Sequence, residues 1–163
     1  MKTEYAYRVV PSEKARKFAV KDVIPIPTKR EDFSCSDKKK ETEDVFESIR
    51  QKISPTMPSR KASLFVLPYE ESIVKKWVEE HHPHDDFDYA LLTLELSGTV
   101  IWSEEDLFTQ AGVLPFIRES NAAKYWTEAS NDYSKYELPE GLFVGTATIV
   151  EIKYLNHMAL TSL

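Results

Sequence analysis

The 163 residues include one cysteine, Cys35, so no disulfide can form within the chain and a bridge-stapled secreted scaffold is excluded. Cys35 sits in the polar string Phe33-Ser34-Cys35-Ser36-Asp37 with no histidine nearby in sequence. It reads as a bystander thiol in a reducing cytosol, not as a nucleophile. Glycine is scarce too: Gly98, Gly112, Gly141 and Gly145 are the only four, too few and too dispersed for a phosphate-cradling loop. There is no Gly-x-Ser-x-Gly turn, and every histidine before His157 lies in one cluster, which removes support for Ser/His/Asp catalysis. A basic excess is missing too. The formal charge is -6, from 21 basic and 27 acidic residues, which argues against a phosphate-backbone binder. No apolar run approaches the roughly 18 residues of a spanning helix. The opening MKTEYAYRVV places Glu4, Tyr5 and Tyr7 where a leader would be apolar. The expectation is a cytoplasmic protein with no membrane partner and no strong nucleic-acid signature.

What is present suits a globular chain: 42% hydrophobic and 12% aromatic residues, enough for one core over residues 1–163. Tyr5 to Val10, aromatic and β-branched and stopped by Pro11, predicts an opening strand. Val20 to Pro27 is limited to an edge or loop by Pro25 and Pro27. Residues 28–40 read as a polar, mobile loop. Its Lys38-Lys39-Lys40 run is broken by neighbouring acids and reads as a solvated helix start. Val45, Phe46, Ile49 and Ile53 recur at helical spacing and predict a helix over Glu41 to Ile53, with Ser36 or Asp37 as cap. A strand ending at Leu67 follows, then a helix from Glu70 to about Glu80 with Ile73, Val74 and Trp77 inward. Asp88 to Ser97 reads as extended, Gly98-Thr99 as a turn, and Val100-Ile101-Trp102 as extended again; two strands or one bent strand both fit. Ser103 is placed to cap a short helix from Glu104 to Gln110, and another helix spans Glu119 to about Ala129. Leu142 to Leu155 is the clearest strand, with Gly145 as a bulge or break. This order predicts an α+β fold with a mixed or antiparallel sheet and flanking helices.

Two constellations carry chemistry. His81-His82-Pro83-His84-Asp85-Asp86 gathers zinc-type ligands, but Pro83 breaks the helical spacing of zinc hydrolase motifs. A solvated helix end is the favoured reading of it, and no metal is expected. The second is a set of polar residues beside strands: Arg8 in the first, Ser59-Arg60 before the Ser63-Leu64-Phe65-Val66 strand, and Glu137 and Glu140 before Leu142. These are either ordinary surface residues or the rim of a common cleft.

Tyr7-Arg8, then Ser59-Arg60 through Ser63-Leu64-Phe65, then Glu140-Gly-Leu-Phe-Val-Gly resemble, in that order, the ADP-ribosyltransferase-like superfamily. The stretch from Glu43 to Phe65 and the run Ala122-x-x-Tyr125-Trp126 look like a bacterial and phage branch of unknown function. The resemblance spans about residues 5–155. It implies NAD as substrate and a nucleotide or small-molecule site, with a protein acceptor among the alternatives. Arg8 would hold the dinucleotide's phosphate or ribose, and Ser59, Arg60 or Ser63 would shape the nicotinamide pocket. Glu140, or failing that Glu137, would support catalysis by stabilising positive charge as nicotinamide leaves. Trp77, Tyr125 and Trp126 are stacking surfaces or core. The Ser-Thr-Ser and Glu-x-Glu motifs of the superfamily are absent. A catalytically inactive ligand- or protein-binding module is therefore the alternative.

Overall fold

In a computed structural model, residues 3–27, 37–82 and 88–156 are described. The chain is α+β, with four strands in the order β1-β2-β4-β3. These are β1 (Glu4–Pro11), β2 (Leu64–Pro68), β3 (Asp88–Glu104) and β4 (Pro139–Asn156). Both registered pairings are antiparallel: β1 with β2 through Ala6↔Pro68 and Tyr7↔Leu67, and β1 with β3 from Glu4↔Leu96 to Pro11↔Tyr89. The helices are α1 (Ser12–Ala15), α2 (Asp37–Ile53), α3 (Glu71–His81), α4 (Asp106–Thr109) and α5 (Pro115–Thr127).

The contacts divide the chain into two compact units. The first holds Met1–Pro25, Val66–Gly98 and Gly145–Leu163. Its core joins Tyr7, Leu67, Val74, Val78, Tyr89 and Leu91, with Val9, Trp77 and Leu155 packed against it. Residues 89–94 of β3 are all buried, so this stretch is covered on both faces, which explains why its alternation is only partial in the sequence. In the Val20 to Pro27 segment, Val20 and Lys21 lie in a turn, with Lys21 at φ +80°, and only Val23 pairs as a strand residue, bridging Thr148, while Ile24 N–H donates to the Ala147 carbonyl at 2.9 Å.

The second unit holds Ile26–Phe65 and Thr99–Val144. Here α2 packs on α5 around Phe46, Ala111, Ala122, Tyr125, Trp126 and Leu142. Phe46 is fully buried, edge-on to Phe108 at 5.1 Å and to Tyr125 at 5.4 Å between ring centroids. Trp126 Nε1–H donates to the Phe46 carbonyl at 2.8 Å. Removing so enclosed a ring leaves a cavity, so Phe46→Ala is expected to cost about 3–5 kcal/mol, read as a lower urea midpoint at unchanged slope.

Several sequence expectations are corrected. Helix α2 starts at Asp37, so residues 37–40 of the expected loop are its first turn. Ile53, expected on its inner face, is 46% exposed; Thr42 and Glu43 are buried there instead. Ser103 does not cap α4: it is buried within β3 and donates to the Tyr125 carbonyl at 2.8 Å. Helix α5 begins at Pro115, four residues earlier than expected; its fixed φ and missing N–H suit a first helical position. Gly98 does not turn the chain, nor does Gly145 split it. Each sits within one long strand at φ 153° and 142°, backbone that glycine adopts without a Cβ clash.

Candidate functional site

Residues that the sequence scatters over nearly a hundred positions meet in the second unit. The short 3-10 turn Arg60–Ala62 starts on Ser59, whose Oγ accepts from Lys61 N–H at 3.1 Å. This cap turns the chain so that Arg60 points inward, and its side chain is only 4% exposed. Its guanidinium grips Glu43 of α2 in a fork, Nε to Oε2 at 2.9 Å and Nη2 to Oε1 at 3.0 Å. Nη1 donates both to the Tyr125 hydroxyl at 2.9 Å and to Oε1 of Glu140. These bonds engage all three guanidinium nitrogens. Four aromatic rings surround the cation, with Phe108 at 4.0 Å, Phe65 at 4.9 Å, Tyr125 at 5.3 Å and Phe46 at 5.9 Å from ring centroid to Cζ. Burial alone opposes the charge on Arg60, but Glu140 and Glu43 override it and hold its pKa well above the ordinary value.

Tyr125 is fully buried on α5 and donates to Glu140 Oε1 at 2.7 Å. Burial first, and then the Glu140 charge, push its pKa well above the usual phenol value, so the hydroxyl keeps the proton it donates. Glu140 therefore receives two donors on Oε1, whereas Oε2 takes no hydrogen bond from a described residue. Its side chain is 13% exposed, against 5% for Glu43, which makes it the member of the cluster nearest to solvent. The turn leading into Glu140 is also fixed. The Glu104 carboxylate accepts from the N–H groups of Glu137 at 2.8 Å and Leu138 at 3.0 Å, and Glu105 N–H donates to the Leu138 carbonyl at 3.0 Å. Glu104 also lines an open cleft of about 580 Å³, with Leu107, Lys124, Thr127, Lys135 and Tyr136. Its volume lies in the range of small-molecule sites, roughly 300–1,000 Å³. Glu140 is not among its lining residues.

Ser59 and Ser63 serve the same turn. Ser59 Oγ donates to Glu47 Oε2 at 2.7 Å, and Ser63 Oγ donates to the Ser59 carbonyl at 2.6 Å. Glu47 is also held by Arg50, Nε to Oε2 at 3.0 Å and Nη2 to Oε1 at 2.6 Å. The Arg50 bonds first, and then the Ser59 bond, lower the Glu47 pKa below the ordinary 4.5 against the opposing effect of burial. A depressed pKa contributes stability that is complete above about pH 4.5 and lost as pH falls through the folded-state value. Glu47→Gln is thus expected to flatten the acid side of the melting-temperature profile, while leaving the shape above pH 6 unchanged.

The structure thus brings together Arg60, Tyr125 and Glu140, with Ser59 and Ser63 behind Arg60. Tyr125 and Trp126 are enclosed in the core and offer no stacking face, and Arg60 is enclosed with them instead of lining an open pocket. Glu137 is exposed and contributes its backbone N–H to Glu104. Arg8 stands on β1 opposite Leu92, in the first unit. In that unit, His81 stacks on Trp77 at 4.6 Å and His82 lies 5.1 Å from Tyr89, so both rings pack at the end of α3. His84, Asp85, Asp86 and Cys35 lie outside the described residues. Among the described residues no group of three or more His, Cys, Asp or Glu side chains is placed to hold a metal. Glu43 is the member that sequence reasoning missed. Its signal was an acid three residues before Phe46, on the same helical face.

A family model described as a protein of unknown function, DUF2441, matches residues 14–154. The chain belongs to the DUF2441 family. The match covers α2, β2, α3, β3 and α5, and so every member of the Glu43–Arg60–Tyr125–Glu140 cluster. No curated protein matches the sequence.

Proposed function

We propose that this DUF2441 chain is an ADP-ribosyltransferase-like protein that cleaves the glycosidic bond between nicotinamide and ribose in NAD, with Glu140 as the catalytic carboxylate. One observation carries the reading: Glu140 is clamped through Oε1 by Arg60 and Tyr125 while Oε2 accepts nothing from the described residues. In this reaction the bond from ribose C1′ to the nicotinamide nitrogen breaks, and its electron pair leaves with neutral nicotinamide. Positive charge then grows on the ribose. A fixed acceptor oxygen that hydrogen-bonds a ribose hydroxyl stabilises that charge without reorganising. The acceptor, water or a nucleophilic side chain of a protein, adds at C1′ and loses its proton. Arg60 and Tyr125 act as positioning residues, since both are buried and spend their donors on Glu140 and Glu43.

Binding is the first test. NAD that binds only the folded chain raises its melting temperature. Near-millimolar NAD is expected to shift the melting temperature of the wild type upward. An unshifted wild type counts against the reading.

One observation favours a second reading, a catalytically inactive ligand- or protein-binding module. The cluster is self-contained, with all three nitrogens of Arg60 used inside the core and Glu140 only 13% exposed. On that reading Glu140→Gln changes stability and no turnover exists to lose.

A further inference from the structure

The end of β1 and the start of β3 lie side by side, since Pro11 pairs with Tyr89. One step beyond that pair stand two polar residues, Ser12 after Pro11 and Asp88 before Tyr89. Ser12 opens α1, and the Arg16 N–H donates to its carbonyl at 3.0 Å, so Arg16 follows one helical turn later on the same face. From β4, Tyr154 and Leu155 add the remaining wall, and Leu155 is anchored by packing against the core of this unit. Ser12, Arg16, Asp88, Tyr154 and Leu155 line a cleft of about 510 Å³, all of them within the first unit. That volume suits a small molecule.

Three of these side chains have bonding capacity to spare. Ser12 is 4% exposed, yet its hydroxyl has no hydrogen-bond partner among the described residues. A buried hydroxyl left so is rare in a folded chain. Arg16 and Asp88 are exposed, and among the described residues neither side chain takes part in an ion pair or a hydrogen bond. They border one cleft without neutralising each other. We propose that this cleft binds a free amino acid with an apolar side chain. The Arg16 guanidinium takes its carboxylate, the Asp88 carboxylate takes its ammonium, and the apolar side chain lies on Tyr154 and Leu155. A guanidinium fork matches a carboxylate, and an ammonium suits a lone carboxylate. Opposite charges in one cleft favour a zwitterion over an anion or a cation alone, because a singly charged ligand meets one like charge. The Ser12 hydroxyl can donate to the ligand's carboxylate and so gain the partner it lacks. Tyr154 is 50% exposed, which leaves ring surface for the apolar side chain to cover. The proposal is independent of the role given to Glu140, which belongs to the second unit.

Calorimetric titration of the full chain tests it with three probes: L-phenylalanine, phenylpropionate, which lacks the ammonium, and phenethylamine, which lacks the carboxylate. Phenylalanine at millimolar concentration is expected to bind, and each analogue to bind about tenfold more weakly or worse. Arg16→Ala and Asp88→Ala are each expected to lower phenylalanine affinity by a similar factor. Both positions are exposed, and an unchanged melting temperature without ligand confirms that the variants fold. Ser12→Ala separates binding from stability. It is expected to weaken phenylalanine binding by about threefold to tenfold while the ligand-free melting temperature holds or rises, since the hydroxyl has no partner to lose. A wild type that does not bind phenylalanine overturns the proposal. So does phenylpropionate binding as tightly as phenylalanine, which reduces the cleft to an anion site on Arg16. Arg16 and Asp88 variants that bind like the wild type overturn it as well, because the ligand then sits elsewhere.

Discussion

Arg60→Met is expected to lower the melting temperature by roughly 6–20 °C, among the largest effects of any single substitution in this chain. Methionine fills much of the arginine's volume among Phe46, Phe65, Phe108 and Tyr125, so the loss is one of charge and hydrogen bonds more than of packing. What remains is Glu43 at 5% and Glu140 at 13% side-chain exposure, both deprived of their cation. Stranding a buried ionic partner costs about 3–5 kcal/mol, and each kcal/mol moves the midpoint of a chain this size by about 2–4 °C. Arg60→Lys is expected to recover little, because a point charge cannot reproduce the fork to Glu43 together with the bonds to Tyr125 and Glu140. Combining Arg60→Met with Glu43→Gln and Glu140→Gln removes the stranded charges and is expected to restore several degrees. Calorimetry on the wild type and the three variants decides it: a drop below about 2 °C for Arg60→Met contradicts a keystone role for this cluster.

The second large effect concerns turnover. Glu140→Gln preserves shape and can still accept at one oxygen, but it removes the charge that would face a ribose carrying developing positive charge. Nicotinamide release is expected to fall by about a hundredfold to a thousandfold, the scale seen when one preorganised electrostatic group is lost. NAD affinity is expected to change little, since the carboxylate acts on charge that exists only in the transition state. Tyr125→Phe provides the intermediate case. It removes one of the two donors to Oε1, loosens Glu140 and is expected to cost less than Glu140→Gln. Equal losses in both variants, matched by equal losses in melting temperature, would instead indicate that turnover follows folding.

Much of the fold is legible in the sequence, because local chemistry sets it. Tyr5 to Val10 and Leu142 to Leu155 read as strands from their β-branched and aromatic content, and both lie within strands of the sheet. Periodicity finds α3 to within a residue at each end and α2 at its end, and places the start of α2 four residues late. Lys38 to Lys40 read as a solvated loop and helix start, and they form the exposed first turn of α2, whose Lys38 carbonyl accepts from Arg118 of α5. Pro115 was a legible start signal for α5, masked by the apolar Val113-Leu114 before it. At Gly98 the sequence left two strands or one bent strand open, and at Gly145 a bulge or a break, because isolated glycines weaken strands; one long strand continues through each, at a backbone angle that favours glycine. The site was legible in its members and not in its wiring. Arg60, Tyr125 and Glu140 each drew notice beside a strand or in a short motif. Nothing local announces that Arg60 reaches a carboxylate 80 positions away, or that Glu43, an acid on a charged helix, is buried. An ion pair between distant segments is a property of the packed chain, and a single sequence carries no pattern for it.

The most direct test is nicotinamide release from near-millimolar NAD by the purified wild-type chain, followed by chromatography alongside Glu140→Gln at matched folded concentration. Release well above the buffer rate, lost in Glu140→Gln while that variant stays folded, is the result this account predicts. A folded wild type that releases nicotinamide no faster than buffer contradicts it, and leaves the Glu43–Arg60–Tyr125–Glu140 cluster as a device that holds α2, α5 and β4 together.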